Sequence, residues 1–204
     1  MNPKHMNYMK INDEAQQQIN RLYPDFDTTS KEFRAFEQLN LLLMFLINAA
    51  SSLILSEKYN KNLQLPNDEQ TAISHSLFRD AIMNYAKCFT TAGATKVKID
   101  FNSVIKDFNE EDKIKFKLIH DEMIAIRHNY IAHNLDNDYE RSIVATKFAN
   151  GKLLIKPTYT FKTPLNSFQK FQTQCALVQN YLIIKVHKAL TKLREKHDFI
   201  IEYT

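Results

Sequence analysis

Leu39–Leu55 reads LNLLLMFLINAASSLIL. No proline or glycine interrupts these residues, and their length exceeds an ordinary strand. A helix is the one regular element that fits. A membrane span needs about 20 such residues. This run is shorter and is broken by Asn40, Asn48, Ser51 and Ser52. The reading is therefore a fully buried helix at the centre of a bundle, with no membrane partner.

Working outward, Thr29 or Ser30 is the N-cap of this central helix, which runs to about Asn60. Before it, a short helix is expected over about Asn7–Asn20, ended by Pro24 and Asp25. After it, Pro66-Asn67-Asp68-Glu69 carries the proline and early acids of a new helix start. That helix, about 67–91, places Ile73, Leu77, Phe78, Ala81, Tyr85 and Phe89 on one face and ends at Gly93. A loop over about 92–108 holds Lys96 and Lys98. Asn109 and the acids Glu110, Glu111 and Asp112 open a fourth helix reaching about His133. Ser142–Ala149 and Leu153–Lys162 alternate around Asn150-Gly151, the strongest short hairpin signal. A last helix is expected over about Pro164–Asp198.

The fold class is thus mainly α. It is an up-and-down bundle of about five helices, with one small β-hairpin (about 142–162) before the last helix, forming one domain over 1–204. Only two glycines among 204 residues agree with long elements and few tight turns. The two cysteines, Cys88 and Cys175, lie in apolar helical contexts without a CxxC, and read as buried reduced thiols. No basic–apolar leader opens the sequence. A cytoplasmic location is expected. The net charge of +4 permits a polyanionic partner without requiring one.

The fourth helix carries the chemistry. On a wheel, Ile119, Met123, Ile126 and Tyr130 form an apolar stripe. Arg127 and His133 flank it about 120° apart, separated by about 9 Å along the axis. Burial of an unpaired guanidinium is costly, so Arg127 needs a cleft, a ligand or a carboxylate such as Asp121 or Glu122. Structural roles account for the same residues. His133 suits a helix C-terminus, and Asn134 suits a left-handed cap.

Arg127-His128-Asn129-Tyr130-Ile131-Ala132-His133-Asn134 resembles the Arg-x(4–6)-His motif of the HEPN superfamily, helical bundles of bacterial toxin–antitoxin, abortive-infection and CRISPR systems. FRDAIMNYAKCF at 78–89 is similar to members of that group more loosely. The resemblance implies a metal-independent endoribonuclease acting as a homodimer. Arg127 and His133 would be catalytic, with His128, Asn129 and Tyr130 in support. It implies RNA as substrate, no cofactor and no metal, and in toxin members a neutralising antitoxin as partner. Some toxin members carry a tyrosine two residues after the histidine, which a nucleotidyltransferase modifies. Leu135 stands there, and Tyr139 comes four residues later. The reading of a different class is a HEPN-like bundle without catalysis, binding a nucleotide or a protein.

The chemistry fits the residues. RNA supplies its own nucleophile, the 2′-OH. A neutral histidine accepts that proton near neutral pH, and a guanidinium stabilises charge on phosphorane oxygens. A two-fold axis beside the helix would gather the divergent side chains of two chains into one cleft.

Other sites are poorly supported. No P-loop, GxGxxG, GxSxG or HExxH occurs. A di-iron bundle requires Glu-x-x-His, and Glu122 is followed at that spacing by Ala125. His5, His75, His120, His187 and His197 are isolated and read as packing or surface residues. Lys185, Lys188 and Lys192, with Lys196 beyond, form a row on the last helix that could follow an RNA backbone or simply be its solvated face. Leu177, Tyr181, Ile184 and Leu193 would face inward opposite the row.

Overall fold

The computed structural model describes residues 30–61, 66–90, 97–128, 140–149, 152–161 and 167–197, the strands by their backbone alone. The chain is mainly helical. The helix expected over Asn7–Asn20 lies outside the described residues. Among them, α1 is Lys31–Asn60, α2 Asn67–Lys87, α3 Phe101–Ile105, α4 Glu110–Ile126 and α5 Phe168–His197. Two strands, β1 (Glu140–Ala149) and β2 (Lys152–Phe161), pair antiparallel from Glu140 opposite Phe161 to Ala149 opposite Lys152. Asn150 and Gly151 themselves are outside the described residues.

Ser30 caps α1, its side chain accepting the Phe33 N–H at 3.2 Å. The helix packs against both α2 and α5. Leu42, Leu46, Ala49 and Leu53 are fully buried. The expectation of a fully buried α1 is corrected on its other side, where Met44, Ile47, Ile54 and Leu55 are exposed. By length and composition α1 could cross a membrane, but its inner side is part of the bundle core.

Two polar contacts tie α1 to α2. Ser52 Oγ donates to Asp80 Oδ2 at 2.7 Å. Ser56 Oγ donates to the Ser74 carbonyl at 2.6 Å, while Ser74 Oγ donates to the Ser56 carbonyl at 2.9 Å. Hydroxyls this small let the two backbones approach, and each satisfies itself on the other helix.

Helix α2 ends at Lys87, earlier than the expected residue 91, because the Cys88 carbonyl accepts the Ile99 N–H at 2.8 Å as the chain turns back. Phe78, Ala81, Ile82 and Tyr85 are fully buried, whereas Ile73, expected inside, is exposed. Phe78 stands edge-on to Phe168 and stacks with Phe171, locking α2 to the start of α5.

The expected loop at 92–108 contains α3. Asp100 caps it, accepting the Asn102 N–H at 3.1 Å and the Ser103 hydroxyl at 3.0 Å. Phe101, Val104 and Ile105 turn into the core at i, i+3, i+4. In α4, Asn109 accepts the Asp112 N–H at 2.8 Å and donates its amide to the Asp112 carboxylate at 2.8 Å. In α5 the inward residues are Phe171, Cys175, Val178, Leu182 and Leu193. Ile184, expected inside, is exposed. Both cysteines are buried free thiols, and burial pushes each up to about 12.

Candidate functional site

Helix α4 holds its apolar stripe as expected, with Met123 and Ile126 buried and Ile119 packed against the core. That anchorage fixes the direction in which the chain leaves Ile126. Regular α geometry ends at Ile126, and Arg127 and His128 continue in a wider, π-type turn. Such turns re-aim side chains and recur at functional positions. The expected helix to His133 is therefore seen only to His128, and Asn129, Tyr130, His133 and Asn134 lie outside the described residues.

Arg127 is half-buried beside the stripe. Its Nη1 lies 3.1 Å from the Nδ1 of exposed His128. A guanidinium only donates, so in this contact His128 Nδ1 is the acceptor. Glu122 is not the partner of Arg127. Its carboxylate takes Lys170 Nζ at 2.6 and 2.8 Å, an ion pair joining α4 to α5. Among the described residues no carboxylate pairs with Arg127.

Lys185, Lys188 and Lys192 are exposed on α5 as a row. They line a groove of about 980 Å³ with Lys31, Glu32 and Leu39 of α1. Further along, Lys196 bonds Glu32 at 2.8 Å. Lys185 stands about 22 Å of helix beyond Lys170, the residue that anchors α5 to α4. The structure therefore does not bring this row into the vicinity of Arg127 within one chain.

A second polar site has a centre that reads as an isolated histidine in the sequence. His120 of α4 sits where α2, α3 and α4 meet. Its ring stacks on Phe101 at 4.1 Å and nearly parallel, and Phe89 stands edge-on at 4.5 Å. Its Nδ1 lies 2.9 Å from the Tyr85 hydroxyl, which accepts Gln174 Nε2 at 3.1 Å. With Gln174 donating to it, Tyr85 directs its own proton to Nδ1, and in this arrangement the ring proton resides on Nε2. Burial holds His120 near 4, so it is neutral at physiological pH, and burial raises Tyr85 well above its usual range. The cleft beside it, about 460 Å³, is lined by Phe89, Lys98, Asn102, Lys117, His120 and Asp121 among others. In the sequence, Tyr85 and Phe89 one turn apart are visible, but their pairing with His120 across 35 positions is not.

Among the described residues no group of three or more His, Cys, Asp and Glu is placed to hold a metal ion. The chain matches no family model, no curated protein and no solved structure.

Proposed function

We propose that the chain is a metal-independent endoribonuclease of the HEPN type, serving as a toxin or phage-defence nuclease and acting as a homodimer. One observation carries the reading beyond the motif. Arg127 stands at the distorted end of a core-anchored helix, half-buried, with no carboxylate among the described residues to neutralise it. An arginine so held is costly unless an anion uses it.

In this reading, neutral His133 takes the proton of a ribose 2′-OH. The 2′-oxygen bonds to the adjacent phosphorus, and the bond to the 5′-oxygen breaks. That oxygen leaves with a proton delivered by the second histidine of the dimer or by water. The products are a 2′,3′-cyclic phosphate and a 5′-hydroxyl. Arg127 stabilises the charge that builds on the non-bridging oxygens. His128, Asn129 and Tyr130 orient the pair. The hairpin packs on the bundle or extends the dimer contact, since two strands alone are marginal. Cleavage takes place in the cytoplasm, where a neutralising antitoxin would restrain it.

The test is cleavage of single-stranded RNA in EDTA, with product ends read by mass. His133→Ala is expected to lower the rate by on the order of 10²–10⁴, and Arg127→Ala by a similar order. Both variants should keep the wild-type unfolding midpoint. If the wild type binds RNA or a nucleotide but never cuts, the non-catalytic binding module replaces this reading. Magnesium-dependent cutting overturns the roles given to Arg127 and His133.

A further inference from the structure

We propose that the cleft between α2, α3 and α4 is a nucleotide subsite: Lys98 and Lys117 hold a phosphate, while His120 and Asn102 hydrogen-bond the base or sugar edge. The proposal rests on the ribonuclease reading only for the source of the nucleotide, which is a unit of an RNA chain.

Size comes first. About 460 Å³ lies in the range of small-molecule sites, and the lining joins an aromatic wall to a few converging polar groups. Charge comes second. Two lysines from different elements, the segment before α3 and the middle of α4, face one cleft. Of the two carboxylates there, Asp100 is occupied as the cap of α3 by the Asn102 N–H and the Ser103 hydroxyl. Asp121 remains to accept a sugar hydroxyl or a base amino group, and the two ammonium groups, matched in number by the two carboxylates, meet a phosphate by direct hydrogen bonds rather than through a net positive field.

His120 is the most specific part. Phe101 covers one ring face, Phe89 abuts the ring, and Tyr85 takes Nδ1. Nε2 has no partner among the described residues, and it is not among the buried atoms lacking one. It therefore reaches the cleft, held in one orientation by three aromatic side chains. Such fixing of a donor before a ligand arrives lowers the ordering cost of binding.

Behind it, Gln174 is fully buried, and its Oε1 has no partner among the described residues. Rotating this amide by about 180° would place Oε1 against the Tyr85 hydroxyl. Tyr85 would then donate to Gln174 and accept from Nδ1–H, leaving Nε2 as an acceptor. The count of bonds along Gln174–Tyr85–His120 is the same in both arrangements. The cleft can thus offer a donor or an acceptor to a base edge while His120 stays neutral.

Position links the cleft to the proposed cutting site. His120 lies on α4 seven residues before Arg127, which directly follows the helix, so the two stand about 10 Å apart along its axis and near the same side. A strand with one phosphate at Lys98 and Lys117 would continue along α4 towards Arg127.

Two measurements test this in EDTA. The imidazole ¹⁵N signals of His120 are followed while adenosine monophosphate or a single-stranded RNA octamer is added. Anisotropy of a labelled octamer gives affinity against salt for wild type, Lys98→Ala/Lys117→Ala and the distant control Lys61→Ala. The octamer should shift the His120 signal. The double variant should bind at least about tenfold more weakly, with a salt slope smaller by about 0.7, the value for one lost phosphate contact on a single strand. Lys61→Ala should bind like wild type. A shift with the monophosphate alone supports the subsite and makes a free nucleotide its ligand. No shift with either probe overturns the proposal. Equal octamer binding by wild type and double variant also overturns it, leaving the ribonuclease reading intact. Binding in the cleft without any cleavage supports the subsite and removes that reading.

Discussion

Acid should unfold this protein through two histidines. His75 is buried in α2, and burial, aided by the charge of Arg79, holds it at about 4. His120 is held at about 4 chiefly by burial, with Asp121 and Lys117 pulling in opposite directions. An unfolded histidine titrates near 6.5. The folded state thus resists a proton that the unfolded state accepts. Stability is fully present above about pH 6.5 and is lost as pH falls towards 4. Each histidine contributes a slope of up to about 1.4 kcal/mol per pH unit and about 3 kcal/mol over the window. Solvent in the cleft lowers the share of His120. Against a total of about 5–15 kcal/mol, that loss is large. The carboxylates of Glu32 and Glu57, lowered by hydrogen bonds from Lys196 and Lys61, act mainly below about 4.5, at the acid end of this window. Urea unfolding followed by circular dichroism at pH 7.5, 6.5, 5.5 and 4.5 measures the slope. His75→Gln and His120→Gln should each be less stable than wild type at pH 7.5, yet should flatten the curve. Wild-type stability constant within about 0.5 kcal/mol from pH 7.5 to 5 would refute the reasoning.

Phe78→Ala should cost about 3–5 kcal/mol, since it empties the contact with Phe168 and Phe171, and calorimetry would show the fall in midpoint. Lys170→Met should cost under about 1 kcal/mol, because its pair with Glu122 is partly exposed; a larger loss in urea unfolding would mean that α4 depends on it. Light scattering should give a dimer at micromolar concentration, and a monomer would dismantle the two-chain site. Iodoacetamide should leave Cys88 and Cys175 unlabelled in the native protein at pH 8, since burial keeps both as thiols, and rapid labelling seen by mass spectrometry would contradict their placement.

The long helices were legible because their signals are local. Thr29 and Ser30 narrow the cap of α1 to two residues, of which Ser30 is the one used, Asn109 and the early acids of α4 name their own cap, and the Met123–Ile126 stripe names its buried side. Three things were not legible. The inner side of α1 could not be separated from its outer side, because Met44, Ile47, Ile54 and Leu55 are as apolar as the residues that are buried. Helix α3 is too short for periodicity, although Asp100 before Phe101-Asn102-Ser103-Val104-Ile105 contains both a cap and an i, i+3, i+4 pattern. For Arg127, the neighbouring acid Glu122 offered a partner by sequence distance, but Lys170, 48 positions away, holds it. Partnerships across the bundle decide the polar sites, and a linear reading lacks them.

The serine contacts between α1 and α2 bear on how this bundle chooses a single arrangement. A helix as uniformly greasy as α1 buries similar area if it slides one turn or rolls about its axis, so hydrophobic burial alone leaves near-degenerate alternatives. Ser52 with Asp80 and the reciprocal Ser56–Ser74 pair are satisfied in only one of them. A slip would take the Ser52 hydroxyl from Asp80 and strand the buried hydroxyls of Ser56 and Ser74 in an apolar seam, at a cost of about 1–3 kcal/mol for each buried one. These hydroxyls therefore act as an alignment key, adding little to the depth of the native well and much to its separation from its neighbours.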